Sequence, residues 1–307
     1  MTEADFLRHL RGLPLHPGAL ALRDDAARLG RLVLTTDTLV EGVHYLDTDP
    51  AGDVAWKLVA TNLSDLAAKG AVPVGVMLNY PLRAASSPTA SPAEDWDAAF
   101  LAGLAEALAT FAAPILGGDT VSLPPHAPRV ITLTAIGDAP TAPVRAGAQA
   151  GDALYVTGTI GDAGAGLAIA QGTSGPAELL AAYRRPQPRL ADGRALAAQV
   201  HAMMDVSDGL LIDAQRMAAA SGLAVEIDLA RVPLSSACRD FAAESQAARL
   251  AAATAGDDYE LLFALPPGTA PAAPATRIGQ FAPGSGLTLT DAGTPLPLPA
   301  SLGFQHG

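Results

Sequence analysis

Short apolar runs that read as strands alternate with Ala- and Leu-rich stretches that read as helices, on both sides of a Pro- and Ala-rich segment at 139–150 (APTAPVRAGAQA). No other feature constrains the fold as much. Neither half reads as an all-helical bundle or an all-strand sandwich, so each must lay helices on a mixed sheet, and the class is α/β or α+β. The expected division is a domain over 1–138, a connection over 139–150 and a second domain over 151–307. With 307 residues, half of them hydrophobic, the chain can bury a core in each.

In the first half, Arg31–Thr36 reads as a buried strand that ends at Asp37. Asp53 reads as the N-cap of a helix over Val54–Lys69, stopped by Gly70 and Pro73. Val74–Asn79 is a strand. Ser91-Pro92-Ala93-Glu94 has the form of a capping box with proline at the first helical position, and the helix it opens runs to about Ala112. Pro114–Leu116 then leads into Gly117-Gly118-Asp119-Thr120, and Arg129–Ile136 alternates as a strand. In the second half Ala153–Gly158, Ala224–Leu229 and Tyr259–Leu265 read as strands. Helices are expected around Leu167–Ala170, between Gly209 and Gly222, and over 235–253, with a surface loop at 266–275.

Several function classes fall away early. Lys plus Arg is 19 against 31 Asp plus Glu, a formal net charge of −12, which gives no bulk field for nucleic-acid backbones or anionic lipid. No apolar run approaches the ~18–20 residues of a membrane span. Glu3 and Asp5 near the start, without an apolar secretion core, lead us to expect a cytoplasmic protein. Cys238 is the one cysteine, which excludes an internal disulfide and a Cys-based zinc site. Lys57 and Lys69 are the only lysines, and neither sits in a phosphate-binding G-x-x-x-x-G-K-[ST] loop. The six histidines form no H-E-x-x-H pair, and no G-x-S-x-G elbow occurs; a dispersed Ser-His-Asp triad stays open.

The placement of aspartates is the positive signal. Asp37 follows a strand, Asp119 follows a strand and two glycines, Asp205 and Asp208 flank Ser207 before a helix, and Asp24-Asp25 precedes the first strand. Loops at strand ends are where scaffolds mount chemistry. Asp and hydroxyl oxygens are hard donors that suit Mg²⁺ over Zn²⁺, and Mg²⁺ prefers one or two carboxylates plus phosphate and water. Several such aspartates in one cleft suggest several Mg²⁺ ions on a polyphosphate. Each has a plainer reading: an Asp before a helix can be an N-cap, Asp24-Asp25 a solvated turn, Gly117-Gly118 a turn.

Within Ala60–Gly70 (ATNLSDLAAKG), Asn62 and Asp65 share a helical face, and Asn62 and Ser64 are poor interior helix formers. A helix with these residues mid-length has either another use for them or an exposed polar face. The glycine run Gly158–Gly166 (GTIGDAGAG) follows a strand and opens a helix, but its spacing is not G-x-G-x-x-G and no acid-terminated strand follows about 20 residues on. A tight turn or a phosphate-adjacent loop fits it better. His44 reads as structural or site-lining. Arg145, in the connection, is either solvated or a bidentate phosphate ligand, and Cys238 packs in a helix.

Taken in order, TTDTLVEGVHY, NLSDLAAKGA, LGGDT, YVTGTIGD, DVSDGL and GDDYEL resemble the thiamine-monophosphate kinase family of the aminoimidazole ribonucleotide synthetase superfamily, from Asp24 to about Phe304. The resemblance implies two mixed α/β domains, a homodimer built through N-terminal strands, several Mg²⁺ ions, and ATP-dependent phosphorylation of thiamine monophosphate to thiamine diphosphate. Carried over by residue, Asp25, Thr35, Thr36, Asp37, Asp65, Asp119, Asp205 and Asp208 match metal positions. Gly118, Asp119, Arg145 and Ser207 match nucleotide contacts, and His44, Asp257 and Phe304 match substrate contacts. The first domain would then carry metal, nucleotide and dimer contacts, and the second metal and substrate.

Three positions depart from the family pattern. Leu22-Arg23 stands where the family has glycine before the double Asp, Asp257 stands where the family has Glu, and the late aromatic is Phe304. The expected chemistry is direct attack of an already ionised acceptor phosphate oxygen on the γ-phosphorus, with neither phosphoenzyme nor strong base. The alternatives are another superfamily enzyme or a non-catalytic Mg²⁺- or nucleotide-binding acidic protein. Selenophosphate synthetase is disfavoured because its N-terminal reactive Cys has no counterpart here, and the hydrogenase-maturation relative because the chain ends without a cysteine tail.

Overall fold

A computed structural model of the chain describes residues 2–83, 96–124 and 127–305. The Ser91–Glu94 capping box lies outside the described residues. The first half runs α1 (Glu3–Leu10), β1 (Ala27–Leu29), β2 (Leu32–Val40), α2 (Ala51–Ala68), β3 (Val72–Arg83), α3 (Trp96–Phe111), β4 (Ile115–Leu123) and β5 (Val130–Asp138). The second runs β6 (Ala153–Thr157), α4 (Asp162–Ala170), α5 (Ala177–Arg184), α6 (Leu190–Leu196), β7 (Ala202–Asp205), α7 (Leu210–Ser221), β8 (Leu223–Asp228), α8 (Ser236–Ala242), α9 (Gln246–Thr254), β9 (Leu261–Leu265), β10 (Ala275–Pro283), β11 (Gly286–Asp291) and β12 (Thr294–Leu296).

Each half is a mixed sheet backed by helices. The first sheet has the order β1-β2-β5-β3-β4, antiparallel except for β3 with β4. The second has the order β12-β11-β8-β10-β6-β9-β7, with β11 parallel to β8. In β5 the buried Ile131, Leu133 and Ala135 alternate with residues on the other face, so one face of the first sheet packs on α2 and α3. Its other face carries Val72, Val74, Met77, Val121 and Val130, each 42–54% exposed. That face remains open.

The helix α2 joins the halves. It is buried on almost every side, because the second half covers the flank that the first sheet leaves. The Trp56 indole donates to the Pro186 carbonyl (2.9 Å), and the Asp49 carboxylate accepts from Tyr183 and Arg184 (2.9 Å each). Gly193 is required where α6 crosses α2: a Cβ there would meet the Ala67 carbonyl oxygen at 1.9 Å.

Some sequence expectations are corrected. Pro50, not Asp53, precedes α2, and Asp53 sits in its first turn. The strand expected to end at Asp37 continues to Val40, since pairing with β5 holds for nine rows from Leu32↔Asp138 to Val40↔Val130. The 235–253 helix is two helices, broken at Ala243, where φ is +61°. Tyr259 and Glu260 precede β9 instead of starting it.

Candidate active site

Between the two halves lies a cleft of about 860 Å³, lined by residues from β2, α2, the start of α4, the turn before α7, the segment 254–259 and the C-terminal Gly303-Phe304. Its floor is built by the polar residues of α2. Asn62 donates to the Leu58 carbonyl (2.9 Å), and its side-chain oxygen accepts the Asp37 N–H (3.1 Å), which fixes β2 against the helix. The Ser64 hydroxyl donates to Asp205 across the halves (2.6 Å), and the Thr35 hydroxyl donates to Asp65. The exposed-face reading of this helix is therefore excluded: Asn62 and Ser64 are fully buried.

Asp37, Asp65, Asp205 and Asp208 all line the cleft. Burial, then the charges of Asp25 and Asp208, push Asp37 up to about 6. Burial and the neighbouring Asp25, against the Ser64 hydrogen bond, push Asp205 up to about 7. Asp65 is raised well above the usual carboxylate range by burial and by Asp205 and Asp37. These carboxylates repel one another where water cannot screen them. The donor set is all oxygen, so a hard divalent cation is the group that would relieve the repulsion. Among the described residues no three His, Cys, Asp or Glu side chains close round a single ion. An ion here would take one or two carboxylates and complete its shell with phosphate and water, which is the habit of Mg²⁺.

Asp208 is held differently. The helix it precedes is capped by Gly209 without any side-chain cap bond, so the capping reading does not apply. Its carboxylate pairs with Arg216 instead. The fully buried Asp213 accepts the backbone N–H groups of Ser207 (3.1 Å) and Asp208 (3.0 Å), which pins the turn that carries both residues. Asp24 and Asp25, the candidate solvated turn, are only 4% and 7% exposed and share Lys69 between them. Arg145 adds its guanidinium to Asp25 and its backbone N–H to Asp24 (3.3 Å). Asp25 and Arg145 sit behind the cleft wall instead of lining it.

His44, Asp257 and Phe304 line the same cleft. The His44 ring nitrogen Nδ1 accepts the Val40 N–H (3.0 Å). Asp257 accepts from Lys57 (2.7 Å) and from the Tyr259 hydroxyl (2.9 Å), and Lys57 also donates to the His44 carbonyl (3.1 Å) while lying over the Tyr183 ring at 4.2 Å. Asp257 and Tyr259 adopt φ of +70° and +52°, unusual for residues with side chains, and their N–H groups bond the carbonyls of Ser207 and Val206 (2.8 Å each). The Phe304 N–H bonds the Asp208 carbonyl (2.9 Å), which sets Phe304 in the cleft lining. The glycine run forms the facing wall: both oxygens of Asp258 accept the Gly161 N–H (2.9 Å), and Ala163, Gly164 and Leu167 line the cleft.

Five expected site residues do not line the cleft: Asp25, Thr35 and Arg145 lie outside its lining, and so do Gly118 and Asp119. The Thr36 hydroxyl donates to the Leu133 carbonyl (3.1 Å) and accepts from Thr134 (3.1 Å), so it serves the sheet although Thr36 borders the cleft. Gly118 and Asp119 lie inside the edge strand β4, not in a loop. Gly118 is in one ladder row with Leu78, Leu133 and Asp37, three strand spacings or roughly 14 Å away. Asp119 falls in the next row, with Asn79, Thr132 and Thr38, and is exposed. Within one chain it cannot share an ion with Asp37. Conversely the sequence reading does not reach Lys57, Lys69, Asp213 and Arg216; only the rarity of lysine in the chain flags the first two.

The chain matches the family models described as AIR synthase related protein, N-terminal domain, over residues 23–139, and AIR synthase related protein, C-terminal domain, over 149–291. It is 40% identical to the thiamine-monophosphate kinase of Caulobacter vibrioides, covering 100% of this chain and 91% of that protein. It is 39% identical to that of Escherichia coli K12 over 80% of this chain and 76% of that protein. Among solved structures it is similar to AaThiL complexed with AMPPCP and TMP (TM-score 0.85, 27% identity, 100% and 97% covered). It is also similar to the thiamine-monophosphate kinase of Stenotrophomonas maltophilia K279a (TM-score 0.75, 36% identity, 95% and 96% covered).

Proposed function

We infer the reaction from the family: this chain belongs to the thiamine-monophosphate kinases among the AIR synthase related proteins, and it is an ATP-dependent kinase that converts thiamine monophosphate to thiamine diphosphate. The observation that carries this reading is the convergence of Asp37, Asp65, Asp205 and Asp208, from both halves, on one cleft that His44, Asp257 and Phe304 also line. A terminal phosphate oxygen of thiamine monophosphate attacks the γ-phosphorus of ATP in line. The bond from the γ-phosphorus to the β–γ bridging oxygen breaks, and ADP leaves with that electron pair. The acceptor oxygen is already ionised at neutral pH, so no residue need remove a proton from it.

The residues divide the work by position. We assign His44, Asp257 and Phe304 to the thiamine moiety, with Phe304 offering its ring. Ser207, on the turn pinned by Asp213, is assigned to the nucleotide; Arg145, behind the cleft wall on Asp25, would reach a nucleotide only by leaving that pair. Asp37, Asp65, Asp205 and Asp208, with the Thr35 hydroxyl behind Asp65, would hold Mg²⁺. Bound Mg²⁺ supplies neutralisation of the polyphosphate and a template for in-line geometry. Ser64, Asn62 and Arg216 keep the carboxylates aimed into the cleft. Closely spaced hydrogen bonds between the halves favour a preformed site, in which little need reorganise as the phosphoryl group moves.

The protein is proposed to act in the cytoplasm as a homodimer; among the described residues no helix is long and apolar enough to cross a membrane. The open apolar face of the first sheet supports the dimer. Gly118 and Asp119 border that face on β4, and any nucleotide or metal role they have is assigned to the assembled dimer. The test of function is ADP release with ATP and Mg²⁺ on addition of thiamine monophosphate or thiamine. Release with the monophosphate alone is expected. Equal release with both, or with neither, would overturn the reading.

A further inference from the structure

The carboxylates at the site fall into two electrostatic groups. Asp37, Asp65 and Asp205 form no ion pair with Lys or Arg among the described residues. Asp24 and Asp25 are the opposite case. Lys69 Nζ donates to Asp24 Oδ1, to Asp25 Oδ2 (3.0 Å) and, more weakly, to the Met203 carbonyl (3.4 Å), which uses all three ammonium protons. Arg145 takes the remaining Asp25 oxygen, Oδ1. The Lys69 side chain is 3% exposed, so it cannot swing to solvent without unpacking the end of α2 from β7. Seventeen of the nineteen basic side chains in the sequence are arginines, so a lysine at this spot stands out: a compact point charge with freely placed donors fits between two carboxylates better than a planar fork.

We propose that the Lys69 ammonium is a resident cation of this site, holding between Asp24 and Asp25 the place that a further divalent ion would otherwise need to fill. This rests on the reading of the neighbouring aspartates as Mg²⁺ ligands and extends it to the number of ions. With both Asp25 oxygens engaged by side-chain cations, Asp25 acts as part of the second layer around the ions instead of as a direct ligand. The site then has a permanently charged half, which keeps the fold together without metal, and a metal-dependent half at Asp37, Asp65, Asp205 and Asp208.

The test compares the wild-type chain with Lys69→Met, which keeps length and loses charge. Two readouts are taken: melting temperature in chelator and in saturating Mg²⁺, and the number of Mg²⁺ ions bound per chain with Mg²⁺ alone as titrant. Removing one partner of a buried ion cluster should lower the metal-free melting temperature by roughly 5–10 °C. Saturating Mg²⁺ should return most of that loss, and Lys69→Met should bind one more ion per chain than wild type. If Lys69→Met does not fold in chelator, Asp24→Asn/Lys69→Met, which removes one charge of each sign, replaces it: it should fold without metal and bind the wild-type number of ions. Equal ion counts in wild type and Lys69→Met, with a melting deficit that Mg²⁺ does not repair, would make Lys69 a structural ion pair only and overturn the inference. A wild-type chain that binds no Mg²⁺ would instead overturn the multi-ion reading of the site, whatever Lys69 does.

Discussion

Replacing Asp205 by Asn should stabilise the metal-free protein at high pH and give no gain at low pH. Asp205 is 4% exposed and pushed up to about 7, first by burial and then by Asp25, with Asp213 and Asp37 adding. In the unfolded chain an Asp titrates near 4. A carboxyl with a raised folded value binds more protons folded than unfolded between those limits, so stability falls as pH rises from about 4 to 7 and stays low above. Three units at 1.36 kcal/mol each make that penalty about 4 kcal/mol. Asn removes it but buries an amide N–H₂ in place of an oxygen, at a cost of about 1–3 kcal/mol. The Ser64 hydroxyl, 2.6 Å from Asp205 Oδ2, can still donate to the amide oxygen. The net gain at pH 8 is then about 1–3 kcal/mol, or roughly 2–10 °C in melting temperature. At pH 5 only about 1.4 kcal/mol of the penalty has accrued, which the cost of burying the amide offsets or exceeds, so the variant gains nothing there. Thermal melts in chelator at both pH values measure this. An Asn variant that is no more stable than wild type at pH 8, or that shifts equally at both pH values, would refute the picture of an unrelieved carboxylate.

Asp208→Asn should keep its ligand-free melting temperature within about 2 °C, since Gly209 and not Asp208 caps α7, and should lose on the order of 10²–10³ in kcat at saturating Mg²⁺; near-normal turnover would remove Asp208 from the metal set. Lys57→Met frees Asp257 and the His44 carbonyl at the acceptor end, so KM for thiamine monophosphate should rise on the order of tenfold while KM for ATP stays within about twofold, and an equal rise in both would count against a positioning role. Arg in place of Met77 and Val130 on the open face should convert the protein from twice the chain mass to one chain by light scattering, and a wild type already at one chain mass would dispose of the proposed dimer.

The aspartates and the polar centre of α2 were legible because they break local rules. Asn62, Ser64 and Asp65 are poor choices inside a helix, and each is repaid by a partner: the Asp37 N–H, the Asp205 carboxylate and the Thr35 hydroxyl. The run Thr35-Thr36-Asp37-Thr38 misled, since its polarity reads as the end of a strand. It is strand, because β5 supplies hydrogen bonds on one side while α2 receives Asp37 on the other. Gly117-Gly118 misled for a related reason. Gly118 is a packing device, since a Cβ there would come within 1.8 Å of the Leu78 carbonyl oxygen, and nothing local distinguishes that from a turn.

What sequence could not give is pairing at long separation. Lys57 meets Asp257 across 200 residues and Lys69 meets Asp25 across 44, and both contacts exist only once α2 is wedged between the two halves. A lysine on an otherwise apolar helix reads as a solvated charge until the second half covers it. Coverage is also what makes these contacts matter. A surface pair between such groups would contribute about 0–1 kcal/mol, whereas a desolvated ammonium dictates where its carboxylates can stand. The helix therefore does two jobs with one set of side chains: its apolar residues dock the halves, and its few polar ones set the charge pattern of the cleft the docking creates. Sliding α2 by one turn would move Asn62, Ser64 and Asp65 by ~5.4 Å and part all three from their partners. The chemistry of the site is thus tied to the same packing that stabilises the fold, and variants that loosen α2 against β7 should lose Mg²⁺ response before they lose secondary structure.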